Sequence, residues 1–104
     1  MRIEPIGAPN LEVRYWRTST GQEVDFVLND REVAIEVKAS VRVADVALKP
    51  LAALAEHGAV RRRVVVCLER QPRRIRDAHG QIAILPLRTF LEELWDGRLT
   101  AARG

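Results

Sequence analysis

Cysteine is nearly absent. Cys67 is the only one, which rules out an intramolecular disulfide and any zinc site built from the cysteines of one chain. It lies within Val64-Val65-Val66-Cys67-Leu68, the setting of a buried, inert thiol. Long apolar runs are missing too, since that segment falls far short of the roughly 20 residues a membrane span requires. The start, Met1-Arg2-Ile3-Glu4-Pro5, carries an acid and a proline where a secretory signal needs a basic start and an apolar stretch, so a cytoplasmic location is the default expectation. No phosphate-binding loop of the G-x-x-x-x-G-K-[ST] kind is present, and nucleotide hydrolysis would have to come from another polypeptide. The two histidines, His57 and His79, have no partners at metal-site spacing.

What is present points to a folded unit. A chain of 104 residues has room for one domain with one modest core, and 47% hydrophobic with 30% charged residues lies in the globular range. A net charge of +3 and a pI near 9.7 are compatible with a polyanionic partner.

Residues 1–10 hold two prolines, a glycine and an asparagine without periodicity and read as a poorly ordered leader. The domain is expected over 11–99, followed by a tail at 100–104. Alternation from Leu11 to Thr18 predicts a strand, and Glu23 to Leu28 and Glu32 to Lys38 predict two more around the turn-prone Asn29-Asp30-Arg31. Leu48, Leu51, Ala52, Leu54 and Ala55 fall at helical spacing and end at His57-Gly58. Val64 to Leu68 reads as a strand buried on both faces, and Gln81 to Leu85 as a short one. Leu87, Phe90, Leu91, Leu94 and Trp95 then define a second amphipathic helix closed by Gly97. A hairpin, a crossover helix and a buried strand make an α/β fold with a mixed sheet flanked by helices.

Alternate strand residues share a face, so Glu36 and Lys38 are expected on a polar face with Ile35 and Val37 toward the core. On the preceding strand Val24, Phe26 and Leu28 form the apolar face, leaving Glu23 and Asp25 opposite. A turn centred between Asp30 and Arg31 opposes residues whose numbers add to 61, pairing Asp25 with Glu36, Glu23 with Lys38, and Phe26 with Ile35. Like charges directly opposite on a sheet repel, and two such carboxylates suit a shared hard cation. A solvated strand face with a Glu23 to Lys38 ion pair is the plainer alternative.

The runs Tyr15-Trp16-Arg17-Thr18, Gly21-Gln22-Glu23-Val24-Asp25-Phe26-Val27 and Ile35-Glu36-Val37-Lys38-Ala39-Ser40 resemble the D…E-x-K signature of the PD-(D/E)XK nuclease superfamily. Together with Ile84-Leu85-Pro86 through Phe90-Leu91 to Leu94-Trp95-Asp96-Gly97, they look like the domain of unknown function that follows the ATPase module in prokaryotic AAA-type ATP-binding proteins. The resemblance implies a restriction-endonuclease-like sheet, Asp25 and Glu36 as ligands of Mg²⁺ or Mn²⁺, Lys38 beside the attacking water, phosphodiester hydrolysis on DNA, and an AAA-type ATPase as partner. The pattern usually carries a glutamate-bearing helix and an ATPase module before the first strand; neither is found here, and Glu4 and Glu12 are the acids that could substitute.

Arg61, Arg62, Arg63, Arg73 and Arg74 are expected on loops bordering the Val64 strand, where they could contact phosphates. Tyr15 and Trp16 could stack on bases, although one of two neighbouring strand residues must face inward. The competing functional reading is a non-catalytic interaction domain. Without its covering helix the sheet would expose apolar surface, which a homodimer would cover.

Overall fold

A computed structural model describes residues 2–3 and 11–99. Most of the expected leader, residues 4–10, and the tail over 100–104 lie outside the described residues. The elements are β1 (Arg2–Ile3), β2 (Leu11–Arg17), β3 (Glu23–Leu28), β4 (Val33–Val37), a 3-10 turn (Asp45–Leu48), α1 (Lys49–Glu56), β5 (Arg62–Cys67), β6 (Arg73–Asp77), β7 (Gly80–Pro86) and α2 (Leu87–Trp95). Strands β2 to β7 make a six-stranded mixed sheet flanked by the two helices, and β1 extends its β2 edge in the order β1-β2-β3-β4-β5-β7-β6. The pairs β4–β5 and β5–β7 are parallel, and the others are antiparallel. Among the described residues no helix is long and apolar enough to cross a membrane.

The sheet has a core on each face. On one, Leu51 and Leu54 of α1 pack over Val24, Val27, Ala34, Val65, Cys67, Ile82 and Ile84. On the other, Phe90 and Leu94 of α2 close over Val13, Leu28, Val33, Ile35, Val64, Val66 and Leu85. β5 alternates between the two, which explains its unbroken apolar run. Cys67 is buried there, its Sγ 3.6 Å from the Leu85 carbonyl.

Three features depart from the pattern read in the sequence. Arg73–Asp77 forms strand β6 rather than loop; four of its five residues are charged and Pro72 precedes it, a composition suited to the sheet edge it occupies. The alternation along β3 breaks because Val13 and Arg14 pair with Leu28 and Val27, whereas Trp16 and Arg17 pair with Val24 and Glu23. The extra residue is a β-bulge at Asp25-Phe26 opposite Tyr15, and it returns Val24 and Val27 to the same face. Finally, β4 is covered on both faces near its middle: Glu36 is 3% exposed, whereas Val37 is 49% exposed.

The β3–β4 turn is pinned from outside. Asn29, Asp30 and Arg31 all take positive φ (49°, 56° and 76°), a conformation that Asn and Asp tolerate and arginine resists. The Arg31 guanidinium offsets that cost at the C-terminal end of α1, where Nη2 donates to the carbonyls of Leu54 (2.6 Å) and Gly58 (2.9 Å). A Cβ on Gly58 would meet Arg31 Nε at 3.3 Å, so a side chain there would displace the guanidinium.

The segment after β4 is fastened by a buried acid. Glu69 accepts two hydrogen bonds from the Arg73 guanidinium (2.8 and 2.9 Å) and one from the Val43 backbone N–H (2.7 Å). The Arg73 bond first, then the Val43 bond, hold the Glu69 carboxyl down to about 2. A depressed folded value means that the native state binds fewer protons than the unfolded chain, so this stability is complete above pH ~4.5 and is lost as pH falls toward 2. Glu69→Gln should therefore lower stability by roughly 1–3 kcal/mol at pH 7. Chemical denaturation of both proteins between pH 7 and pH 2 should show that deficit vanish at the acid end; a deficit unchanged over the range would refute the assignment.

Candidate functional site

The hairpin has the register anticipated from its turn, with Phe26 opposite Ile35, Val27 opposite Ala34 and Leu28 opposite Val33. The backbone ladder stops at Phe26–Ile35, beside the bulge. Beyond it the carboxylates bridge the two strands. Glu36 Oε1 accepts the backbone N–H of Asp25 at 3.0 Å, and Asp25 Oδ2 accepts the backbone N–H of Val37 at 2.9 Å. Lys38 Nζ lies 3.6 Å from Glu36 Oε2, and its own backbone N–H donates to the Val66 carbonyl of β5 at 2.9 Å. Asp25, Glu36 and Lys38 are thus gathered where β3 and β4 part.

Their environments differ. Asp25 is exposed and Lys38 is partly exposed, while Glu36 lies on the α1-facing side beside Ala34 and Val65. Burial raises the Glu36 carboxyl above the ordinary range. The Asp25 N–H bond and the Lys38 ammonium oppose that shift, and the Asp25 charge reinforces it. Each carboxylate spends one oxygen on the opposite backbone, and the second oxygen of Glu36 lies against Lys38.

Glu23 does not join this group. It pairs with Arg17 across β2–β3 at 3.5 Å, in place of the expected Lys38 partner. Glu12 sits at the turn end of the hairpin, its backbone N–H on Asn29 Oδ1 and its side chain against Arg14, so it supplies no third acid; Glu4 lies outside the described residues. Among the described residues no group of three or more His, Cys, Asp or Glu side chains is arranged to hold a metal. The donor set present is two carboxylate oxygens. Magnesium commonly takes one or two carboxylates and draws its remaining ligands from water and substrate phosphate, so the residue types fit, although Glu36 Oε2 also lies 3.6 Å from Lys38 Nζ.

The candidate phosphate-contacting arginines sit on strands more than loops. Arg63 is buried and forms a bidentate pair with Asp77 (2.8 and 2.6 Å), Arg62 pairs with Glu93 (3.2 Å), and Arg73 is held by Glu69. Arg61 and Arg74 are exposed. Trp16 faces inward, edge-on to His57 with ring centroids 5.5 Å apart, and Tyr15 points outward opposite the bulge. The bulge and the internal acid partners were the features that strand alternation alone missed; the unbroken run Phe26-Val27-Leu28 was the one local sign of the former.

The sequence model of a family described as a domain of unknown function (DUF4143) matches residues 6–90. The chain belongs to this family. Comparison with curated proteins and with solved structures returns no match. The DUF4143 match takes in β2 to β7 and all three hairpin residues, so the carboxylate bridge lies within the family's own segment.

Because the folded Glu36 carboxyl is raised, the native state binds more protons than the unfolded chain above pH ~4.5, and stability falls as pH rises through the folded value. Glu36→Gln keeps an acceptor for the Asp25 N–H while removing the buried charge. It should melt a few degrees above wild type at pH 7, and the gap should close as wild-type Glu36 protonates toward pH 4. Thermal melts across that range test it, and a variant less stable at every pH would show that the Lys38 pair outweighs the burial.

Proposed function

We propose that the hairpin carries a metal-dependent phosphodiesterase site of PD-(D/E)XK type acting on DNA. The observation that supports this reading is the gathering of Asp25, Glu36 and Lys38 where β3, bulged against β2, parts from β4. Bulges frequently aim side chains at functional sites. Mg²⁺ or Mn²⁺, when bound, supplies a Lewis acid that activates water and neutralises phosphate charge.

The chain's own groups have distinct tasks in that reading. Asp25 and Glu36 offer hard oxygen donors whose orientation is fixed by the backbone bonds at their other oxygens. Lys38, only partly buried, offers an ammonium to a non-bridging phosphate oxygen and stabilises charge that builds up on it. An AAA-type ATPase is the partner the family resemblance suggests, supplying the nucleotide hydrolysis for which this chain has no loop.

Incubated with plasmid DNA, the purified protein should cleave with Mg²⁺ or Mn²⁺ and stop with EDTA. Lys38→Ala should lower the rate at least ~100-fold with its melting temperature nearly unchanged, since removing one preorganised charge commonly costs that much. Asp25→Asn should abolish metal-dependent cleavage. The same trace activity in wild type and both variants would mark a contaminant and sink the catalytic reading.

A second reading, a homodimerisation domain that retains the fold, is favoured by one specific observation. Leu87, Leu91 and Trp95 form an exposed i, i+4, i+8 stripe along α2, and Val37 and Leu68 border it at Leu87. Half-exposed large side chains of this number offer on the order of 500 Å² per partner, approaching the ~800 Å² of a stable interface. Light scattering should show a dimer that Leu91→Asp converts to monomer. A wild-type protein that stays monomeric at millimolar concentration would eliminate this reading.

A further inference from the structure

Two adjoining cavities border the β5–β7–β6 side of the sheet. One, of about 460 Å³, is lined by Arg61, Arg62, Arg63, Arg74, Gln81 and Ala83. The other, of about 450 Å³, shares Arg62, Arg74 and Ala83 with it and runs beside α2 to Thr89 and Glu93. The two form one elongated groove.

Its charge is not internally balanced. Asp77 neutralises Arg63 and Glu93 neutralises Arg62. Arg74 and Arg76 are exposed, and among the described residues no salt bridge involves either. Arg74 lines both cavities, and Arg76, which lines neither, follows it on the same face of β6 beside the groove's Gln81 end, roughly 6.6 Å along the strand. Their ladder partners Ala83 and Gln81 leave low ground beside them, with Ala83 in contact with the α2-side core. No exposed leucine, phenylalanine or tryptophan lines the groove, so it has no apolar side chain to insert into a membrane.

We propose that this groove binds the phosphate backbone of a nucleic-acid strand. Spaced guanidinium groups beside small and amide side chains suit successive phosphates, contacted for position rather than for base sequence. The groove is separate from the carboxylates. Arg61 to Arg63 lead into β5 while Glu36 to Lys38 close the parallel strand β4, and Ala83 faces α2 while Glu36 faces the α1 side. Two strand spacings, about 10 Å, and the sheet itself separate Ala83 from the Glu36 side chain. Binding here needs no metal and does not rest on the hydrolytic reading.

Fluorescence anisotropy with labelled single-stranded and duplex DNA, all in EDTA, tests the assignment. Arg74→Glu/Arg76→Glu should weaken binding more than 10-fold and make the plot of log affinity against log salt shallower by about 2, one for each lost phosphate contact. Arg14→Glu/Lys49→Glu makes the same change in net charge at exposed positions outside the groove and should stay within about twofold of wild type. Arg74→Gln/Arg76→Gln, milder for the edge strand, should move in the same direction by a smaller factor. Equal losses in the two charge-reversal doubles would reduce the effect to net charge and overturn the groove, as would a wild type that fails to bind either DNA at low salt.

Discussion

Where β3 and β4 part, the N–H groups of Asp25 and Val37 lose the carbonyls a regular ladder would provide, and two carboxylates take their place. Asp25 and Val37 are both exposed, so water could serve their N–H groups, but a charged acceptor forms the stronger bond and fixes its geometry. The bridge therefore keeps the hairpin closed at its open end while holding two acids side by side. Lys38, anchored to β5 through its backbone, compensates part of the charge so gathered. Structural and chemical roles fall on the same two residues, one oxygen of each carboxylate serving the backbone and the second oxygen of Glu36 meeting Lys38.

The remaining acids with marked shifts serve a different purpose. Glu69 and Asp77 each receive a guanidinium, from Arg73 and Arg63, and both are held down to about 2. They tie the charged edge strand β6 and the segment around Val43 to the body of the sheet. Glu36 departs in the opposite direction because desolvation dominates there. Among the described residues, the contrast separates Glu69 and Asp77, whose partners compensate their burial, from Glu36, whose partners do not. The latter lies in the hairpin site.

Much of the fold was legible in the chain. The buried run of β5, the helical spacing of α1 and α2, and the turn residues that set the hairpin register all follow from local rules of period and propensity. β6 escaped because Arg-Arg-Ile-Arg-Asp has a single apolar residue, and an edge strand beside β7 needs little more. The bulge escaped because alternation assumes one residue per step, whereas Asp25 and Phe26 together oppose Tyr15. Phe26, expected in the core, is 42% exposed as a result.

The residue types and their order by themselves determined which strands pair in the hairpin, which acids come near one another and which lysine joins them, because a tight turn and a period of two leave little freedom over ten residues. Only the tertiary structure decided that Glu36 is buried, that three of the five candidate arginines are committed to internal acids, and that the exposed Arg74 lines a groove with Ala83 on the other face. Those outcomes depend on packing between elements distant in sequence. Burial, and with it the chemistry of each charge, is a property of the neighbours that the folded sheet brings together.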